Sequence, residues 1–221
     1  MSSMDYDAIV FDNDGVLARI TEGEAVRNAI RRTFHEFGVQ DPDPTHIEQL
    51  FGVTMADLLS VCSTYGLDPG RFWERRDQNV AAAQIQLIDA GTKDLYEDVA
   101  TLDAITSPLG VVSNNQHRTV QYILSHYGLI DQFNTVYGRQ PTLEDVMRKK
   151  PNPYYIEQAL TDLSATDALY VGDSPKDVIA AQRAGIDAAF IRRPHRKSAE
   201  LPVKPTIEVP DLTTLVAEIT G

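Results

Sequence analysis

One break in pattern constrains this chain more than any other feature. The apolar run "YDAIVF" (6–11) ends at polar residues and reads as a buried strand. The following stretch of about 70 residues then carries no strand pattern. Residues 22–38 place Ala25, Ala29, Ile30, Phe34 and Phe37 at helical spacing, with Gly38 as a stop. Helices are also predicted over 45–51, 54–65 and 70–89, punctuated by Pro44, Gly52, Gly66 and Pro69–Gly70. Beyond residue 90 the pattern alternates. Helices are predicted at 94–106, 116–127, 153–161, 175–184 and 211–219. Strands are predicted at 109–113, 134–138, 168–172 and 187–191. Alternation of this kind implies right-handed crossovers and a parallel sheet covered on both faces. The fold class is therefore α/β, a Rossmann-like parallel-sheet core over 4–20 and 91–221, with a small helical domain inserted over 21–90.

In such sheets the ligand crevice lies beyond the carboxyl ends of the strands, so the residues that follow each strand matter most. Asp12 and Asp14 follow the first strand, within "DNDGVLARI" (12–20). Ser113 and Asn114 close the second. Lys149 and Lys150 precede "PNP", and Asp173, with Asp177 four residues on, follows "ALYVG". A lone Asp-x-Asp-Gly is commonly a turn whose glycine supplies positive φ. Carboxylates, a hydroxyl and lysine drawn to one sheet edge are a stronger pattern. Lys149 reads as a solvated charge. Ser113 and Asn114 also suit a cap for the next helix, and Asp177 suits a first-turn helix acid.

Charge narrows the partners. The net charge is −12, Asp outnumbers Glu, and only 6 of the 20 basic residues are lysine. A basic surface for nucleic acid or anionic lipid is not expected. Adaptation to a salt-rich cytosol and an ordinary acidic protein account equally well for the balance. No apolar run is long enough to span a bilayer, and "MSSMDYD" lacks a secretory signal pattern. Ser2 and Ser3 read as a leader before a second start at Met4. The single cysteine, Cys62, fits a reducing, cytoplasmic setting and reads as packing. His35, His46, His117, His126 and His195 are scattered without ligand spacing, and none is assigned to a metal.

"FDNDGVL", "VVSNN", "KKPNP" and "GDSPKD" together resemble the four motifs of the haloacid dehalogenase (HAD) superfamily of phosphohydrolases, most closely its phosphoglycolate-phosphatase-like branch. The inserted helices correspond to that family's C1-type cap. The resemblance implies a Mg²⁺-dependent phosphatase acting on a small phosphorylated metabolite through an aspartyl-phosphate. Asp12 would be nucleophile and metal ligand. Asp14 would lend its backbone carbonyl to the metal and its side chain as acid and base. Asp173 would complete the metal ligands, with Asp177 in support. Asn13, Gly15, Ser113 and Asn114 would cradle the phosphate, and Lys150 would screen the gathered charge. Each role suits the chemistry, since phosphoryl transfer is mostly positioning and charge neutralisation.

Departures from the pattern refine this reading. Asp14 argues for an ester, because a halide leaving group needs no proton. Schiff-base phosphonate cleavage needs a cap lysine, and no lysine precedes Lys93. Phosphosugar mutases of the β-phosphoglucomutase type carry a cap histidine and arginine where this chain has Glu24 and Met55, which favours hydrolysis. A catalytically idle HAD-like regulatory module is the remaining alternative. "ARI" (18–20) replaces the family's usual acid with Arg19. Arg19 is therefore either a hinge or solvated arginine or a bidentate contact for a distal anionic group of the substrate. Arg71, Arg75 and Arg76 compete for that role, although such a run reads as a solvated helix face.

Overall fold

A computed structural model describes residues 5–221. Ser2, Ser3 and Met4, the expected leader, second start and first core residue, lie outside the described residues. Among those described, β1 (Ala8–Phe11), β2 (Leu109–Gln116), β3 (Thr135–Arg139), β4 (Ala168–Gly172), β5 (Asp187–Ile191) and β6 (Ile207–Val209) form one sheet in the order β3-β2-β1-β4-β5-β6. Every pairing is parallel. The chain runs outward from β1 in one direction through β2 and β3, and in the other through β4 to β6. The reversal beside β1 opens a crevice at the strands' carboxyl ends.

Alternation along each strand builds two apolar layers. Phe11, Val111, Val171 and Ile191 pack on one face with Val120 and Ile123 of α5 (His117–His126) and Leu212 and Leu215 of α9 (Leu212–Thr220). Val10, Val112, Tyr170 and Phe190 pack on the other with Ile156 and Ala159 of α7 (Tyr154–Leu163) and Val178 and Ala181 of α8 (Pro175–Ala184).

Between β1 and β2 lie α1 (Gly23–Glu36), α2 (Pro44–Phe51), α3 (Met55–Tyr65) and α4 (Pro69–Asp89). These helices have their own core, centred on Ile30, Phe34, Leu50, Phe72 and Trp73, and it takes in Cys62. Their starts are written in the sequence. Asp43 and Asp68 accept from the first-turn amides of α2 and α4, each just before a proline, and Thr54 with Asp57 forms a capping box on α3.

The structure departs from the pattern reading in places. The expected helix at 94–106 is a shorter 3-10 helix, Glu97–Ala104. Val99 and Leu102, three apart and both buried, fit the eclipsed side chains of that form. β2 continues past Ser113 because Gln116 pairs with Arg139 of β3 across a register shift; its polar end carries no strand signal. The short α6 (Leu143–Met147) and the edge strand β6 are too brief to give a period.

Candidate active site

The crevice is built from strand ends. β1 delivers Asp12, whose backbone N–H donates to the Val171 carbonyl of β4 at 2.8 Å. The chain then folds tightly, with the Asn13 carbonyl accepting from Leu17 and Ala18 at 2.9 and 2.8 Å. Gly15 sits in this turn at φ +86°, where a Cβ would stand 2.2 Å from Asp173 Oδ2. Only glycine lets the turn approach that carboxylate so closely.

Asp12, Asp173 and Asp177 are all buried, and one oxygen from each lies within 4.8 Å of the others. Lys150, 4% exposed, sets its Nζ 3.0 Å from Asp12 Oδ2 and 2.8 Å from Asp177 Oδ1. It also donates to the Val112 carbonyl at 3.1 Å. Burial opposes its charge, but Asp12 and Asp177 outweigh burial and hold the ammonium above its ordinary range. Burial pushes the Asp12 carboxyl up to about 7; Lys150 pulls it down, and Asp177, Asp173 and Asp14 add to the rise. An all-oxygen, carboxylate-rich set of this kind suits a hard divalent cation such as Mg²⁺, which would relieve the mutual repulsion.

Asp177 serves two purposes at once. Its Oδ2 accepts from the backbone N–H groups of Asp173 and Ser174 at 3.1 and 2.9 Å, forming the capping box of α8, while Oδ1 faces Lys150. The helix-acid geometry and the contact with Lys150 therefore coexist.

Asp14 turns away from this cluster. Its Oδ1 accepts from Lys93 Nζ, and its Oδ2 accepts from Asn115 Nδ2 at 2.7 Å and Asn13 Nδ2 at 3.2 Å. Burial alone would raise this carboxyl; the charge and hydrogen bond of Lys93 overcome it, and the net shift is downward.

The remaining expectations sort as follows. Ser113 is buried, and its Oγ accepts from the Asn115 amide at 3.2 Å. Asn114 braces the lysine loop: its Oδ1 accepts from Lys150 N at 2.7 Å and its Nδ2 donates to Lys150 O at 3.1 Å. Lys149 is not the freely solvated charge expected. Its Nζ donates to the Val53 carbonyl between α2 and α3, because the loop carrying it packs under that segment. Arg75 pairs with Glu36 on the helical surface, whereas Arg76 is buried against Asp77 and is no solvated side chain. The Arg19 guanidinium lies 5.0 Å from the Tyr96 ring, in a groove of about 760 Å³ that it shares with Arg192, Arg193 and Lys197. The acidic cluster does not line that groove.

Besides Asn115, three residues at the site carried no sequence signal. His195 Nε2 lies 2.6 Å from Asp173 Oδ2, so the histidine count by spacing misses one that the fold brings to the acidic cluster. Arg196 Nε approaches the same oxygen at 3.1 Å. Lys93, 1% exposed, reaches Asp14 from the end of the helical block.

Among the described residues, no helix is long and apolar enough to cross a membrane. A phosphoglycolate phosphatase of Rhodobacter capsulatus is 26% identical over 197 residues, covering 86% of each chain. The pyrophosphatase PpaX of Halalkalibacterium halodurans is 27% identical over 194 residues, covering 85% of this chain and 84% of its own. The fold is shared with CbbY of Rhodobacter sphaeroides, solved in complex with phosphate, at a TM-score of 0.72 and 20% identity over 96% of each chain. Residues 9–191 match the haloacid dehalogenase-like hydrolase family, and this chain, with its four motifs inside that match, belongs to it.

Proposed function

We propose that this chain is a Mg²⁺-dependent phosphatase of small soluble phosphomonoesters, working through an aspartyl-phosphate on Asp12. The observation that carries the reading is the convergence of Asp12, Asp173 and Asp177 at the sheet's carboxyl edge, with Lys150 paired to Asp12 and Asp177. Asp12 and Asp173, with the Asp14 backbone carbonyl, would hold the Mg²⁺, whose charge offsets that of the phosphoryl oxygens when it is bound. Asp12 attacks phosphorus while the ester P–O bond breaks, and Asp14, the ionised partner of Lys93 in this structure, must first take up a proton from solvent and turn toward the site in order to protonate the departing oxygen. Asp14 then takes a proton from the water that attacks the aspartyl-phosphate, releasing inorganic phosphate and restoring Asp12. The Asn13–Gly15 turn and Ser113 face the phosphoryl oxygens, and Lys150 balances the nucleophile.

Residues 21–90 act as the cap that excludes water and selects the substrate. Met55 packs against the helical core and Glu24 is exposed and anionic, so neither offers a grip for the second phosphate that mutase chemistry needs. The named relatives make phosphoglycolate and pyrophosphate the first substrates to try, alongside sugar phosphates and nucleotides.

The test is phosphate release from p-nitrophenyl phosphate and a panel of phosphorylated metabolites, with and without EDTA. EDTA-sensitive release that Asp12→Asn abolishes while the protein stays folded supports the reading. Activity retained by Asp12→Asn removes the mechanism. Interconversion of sugar phosphates faster than phosphate release removes the hydrolase assignment.

A further inference from the structure

The groove of about 760 Å³ that holds Arg19 lies past the carboxyl ends of β5 and β6, and none of the catalytic residues proposed above lines it. Its charges differ in what already occupies them. Arg193 is buried and donates to Asp98 Oδ2 and Oδ1 at 2.7 and 2.9 Å and to the Val16 carbonyl at 2.9 Å. Arg192 donates from Nε to Glu208 Oε1 at 2.5 Å and from Nη1 to the carbonyls of Arg196 and Ala199, each at 3.0 Å. It thereby braces the loop that presents Lys197 to the groove. Asp211 also lines the groove, but its Oδ1 accepts from the Thr214 amide and hydroxyl, each at 2.8 Å. Arg19 and Lys197 remain. Both are exposed, and among the described residues neither has an acidic partner; the Arg19 guanidinium meets the Tyr96 ring at 5.0 Å. In a chain of net charge −12, two unpaired cations converging on one groove are not what the surface supplies by default.

We propose that this groove is a second anion site, separate from the acidic cluster, and that its ligand is a nucleoside di- or triphosphate. Sites of about 300–1,000 Å³ with an apolar wall and a few charged anchors suit small molecules of that size. Tyr96, Pro194, Val209 and Pro210 supply the wall against which a base rests. Arg19 and Lys197 supply the anchors, and two separate cations call for more than one phosphate. A guanidinium fork takes two phosphoryl oxygens at once, and an ammonium adds a point charge. Inorganic phosphate would fill little of the groove and leave its wall bare. Arg19 therefore serves this site and not a distal group of the phosphatase substrate. The two sites share no residue, so this assignment stands or falls independently of the phosphatase reading.

The experiment is calorimetric titration of the full chain with ATP, pyrophosphate and adenosine at low salt, with EDTA present to prevent metal-dependent turnover. One ATP should bind per chain, more weakly as salt is added. Pyrophosphate, which lacks the ring, should bind about tenfold more weakly. Adenosine, which lacks both charged contacts, should bind about 100-fold more weakly. Arg19→Ala and Lys197→Ala should each weaken ATP by about tenfold. Both side chains are exposed, so the thermal midpoints should stay at the wild-type value. Asp12→Asn should change ATP affinity by less than about twofold, as expected of a distant, independent site. A nucleotide seated in the acidic cluster would instead bind more tightly once that charge is gone. Absence of ATP binding, or an affinity unchanged in either Arg19→Ala or Lys197→Ala, would overturn the proposal. So would tighter binding in Asp12→Asn. Pyrophosphate binding as tightly as ATP would show that the wall holds no base and would overturn the nucleotide assignment.

Discussion

Asp77 of α4 and Arg139 of β3 form a buried ion pair between the helical block and the sheet. Arg139 Nη2 donates to Asp77 Oδ1 at 2.9 Å and Nη1 donates to Oδ2, while the two side chains are 4% and 1% exposed. Arg76 Nη1 meets the same carboxylate at 3.0 Å, and both guanidinium groups lie about one ring's width from Trp73, at 5.0 and 4.7 Å. Gln116 Nε2 adds a hydrogen bond to Asp77 at 3.2 Å. One carboxylate thus pairs with two buried cations and offsets one of their two charges, and it ties the block to the ends of β2 and β3.

Removing that carboxylate should be costly. Asp77→Asn keeps the shape but leaves Arg76 and Arg139 without a counter-charge, and breaking a buried pair in this way costs about 3–5 kcal/mol. Urea unfolding should register the loss. Arg139→Met in the same background should restore part of it, because one unpaired charge is then removed. A loss below about 1 kcal/mol would mean that water reaches the arginines and that the pair is not a desolvated one.

Gly15 offers a test of the cation site that does not depend on turnover. The native chain should gain thermal stability on addition of Mg²⁺, since a ligand that binds only the folded state raises the midpoint. Gly15→Ala should abolish most of that gain. Its Cβ would meet Asp173 Oδ2 at 2.2 Å and displace a carboxylate from the cluster. The alanine also carries a left-handed backbone penalty of about 1–2 kcal/mol, which lowers the midpoint in the absence of cation. A Gly15→Ala protein that keeps the full Mg²⁺-dependent rise would show that Asp173 is not needed for binding.

Asp173→Asn should likewise lose the Mg²⁺-dependent rise while the metal-free protein stays folded. The substitution removes charge from a crowded acidic cluster, so its metal-free midpoint should not fall far, although Arg196 loses an ionic partner and His195 a hydrogen-bond partner on Oδ2. An unchanged Mg²⁺ response in both Asp173→Asn and Gly15→Ala would place the cation elsewhere.

What could be read from the sequence follows from what is local. Asp12, Asp173 and Lys150 were legible because each lies next to a strand end or a proline-marked loop, and a parallel sheet delivers those ends to one edge. The helical starts were legible because Pro44, Gly52 and Pro69–Gly70 punctuate the pattern, and the structure adds the caps Asp43, Thr54 and Asp68, each acting within three residues. Lys93 and His195 were not. Their partners, Asp14 and Asp173, are 79 and 22 residues away, and nothing near either residue marks it as inward-facing. Asn115 was missed because the apolar pattern of β2 stops at Ser113 although the strand continues on polar residues. Arg76 was misread because a run of arginines on a helix looks solvated until its neighbour Asp77 is seen to be buried with it.

Lys149 provides the pH test. Burial lowers its ammonium to about 7, from an ordinary 10.5, with Arg139, Arg76 and Lys176 adding repulsion and Asp77 partly opposing. Between about pH 7 and 10 the folded chain therefore binds fewer protons here than the unfolded chain, so this group's contribution to stability improves as pH rises through that window. Below the window both states carry the charge and the folded protein bears the whole burial cost. Lys149→Met removes the titration together with the hydrogen bond to the Val53 carbonyl, and that bond is made at either pH. The stability of the wild type relative to Lys149→Met, measured by urea unfolding, should thus rise by about 1 kcal/mol or more between pH 6 and pH 9.5. Taking the difference cancels the other titrating groups. A difference that stays flat would show that Lys149 keeps an ordinary pKa, with its ammonium hydrated beside the helical block.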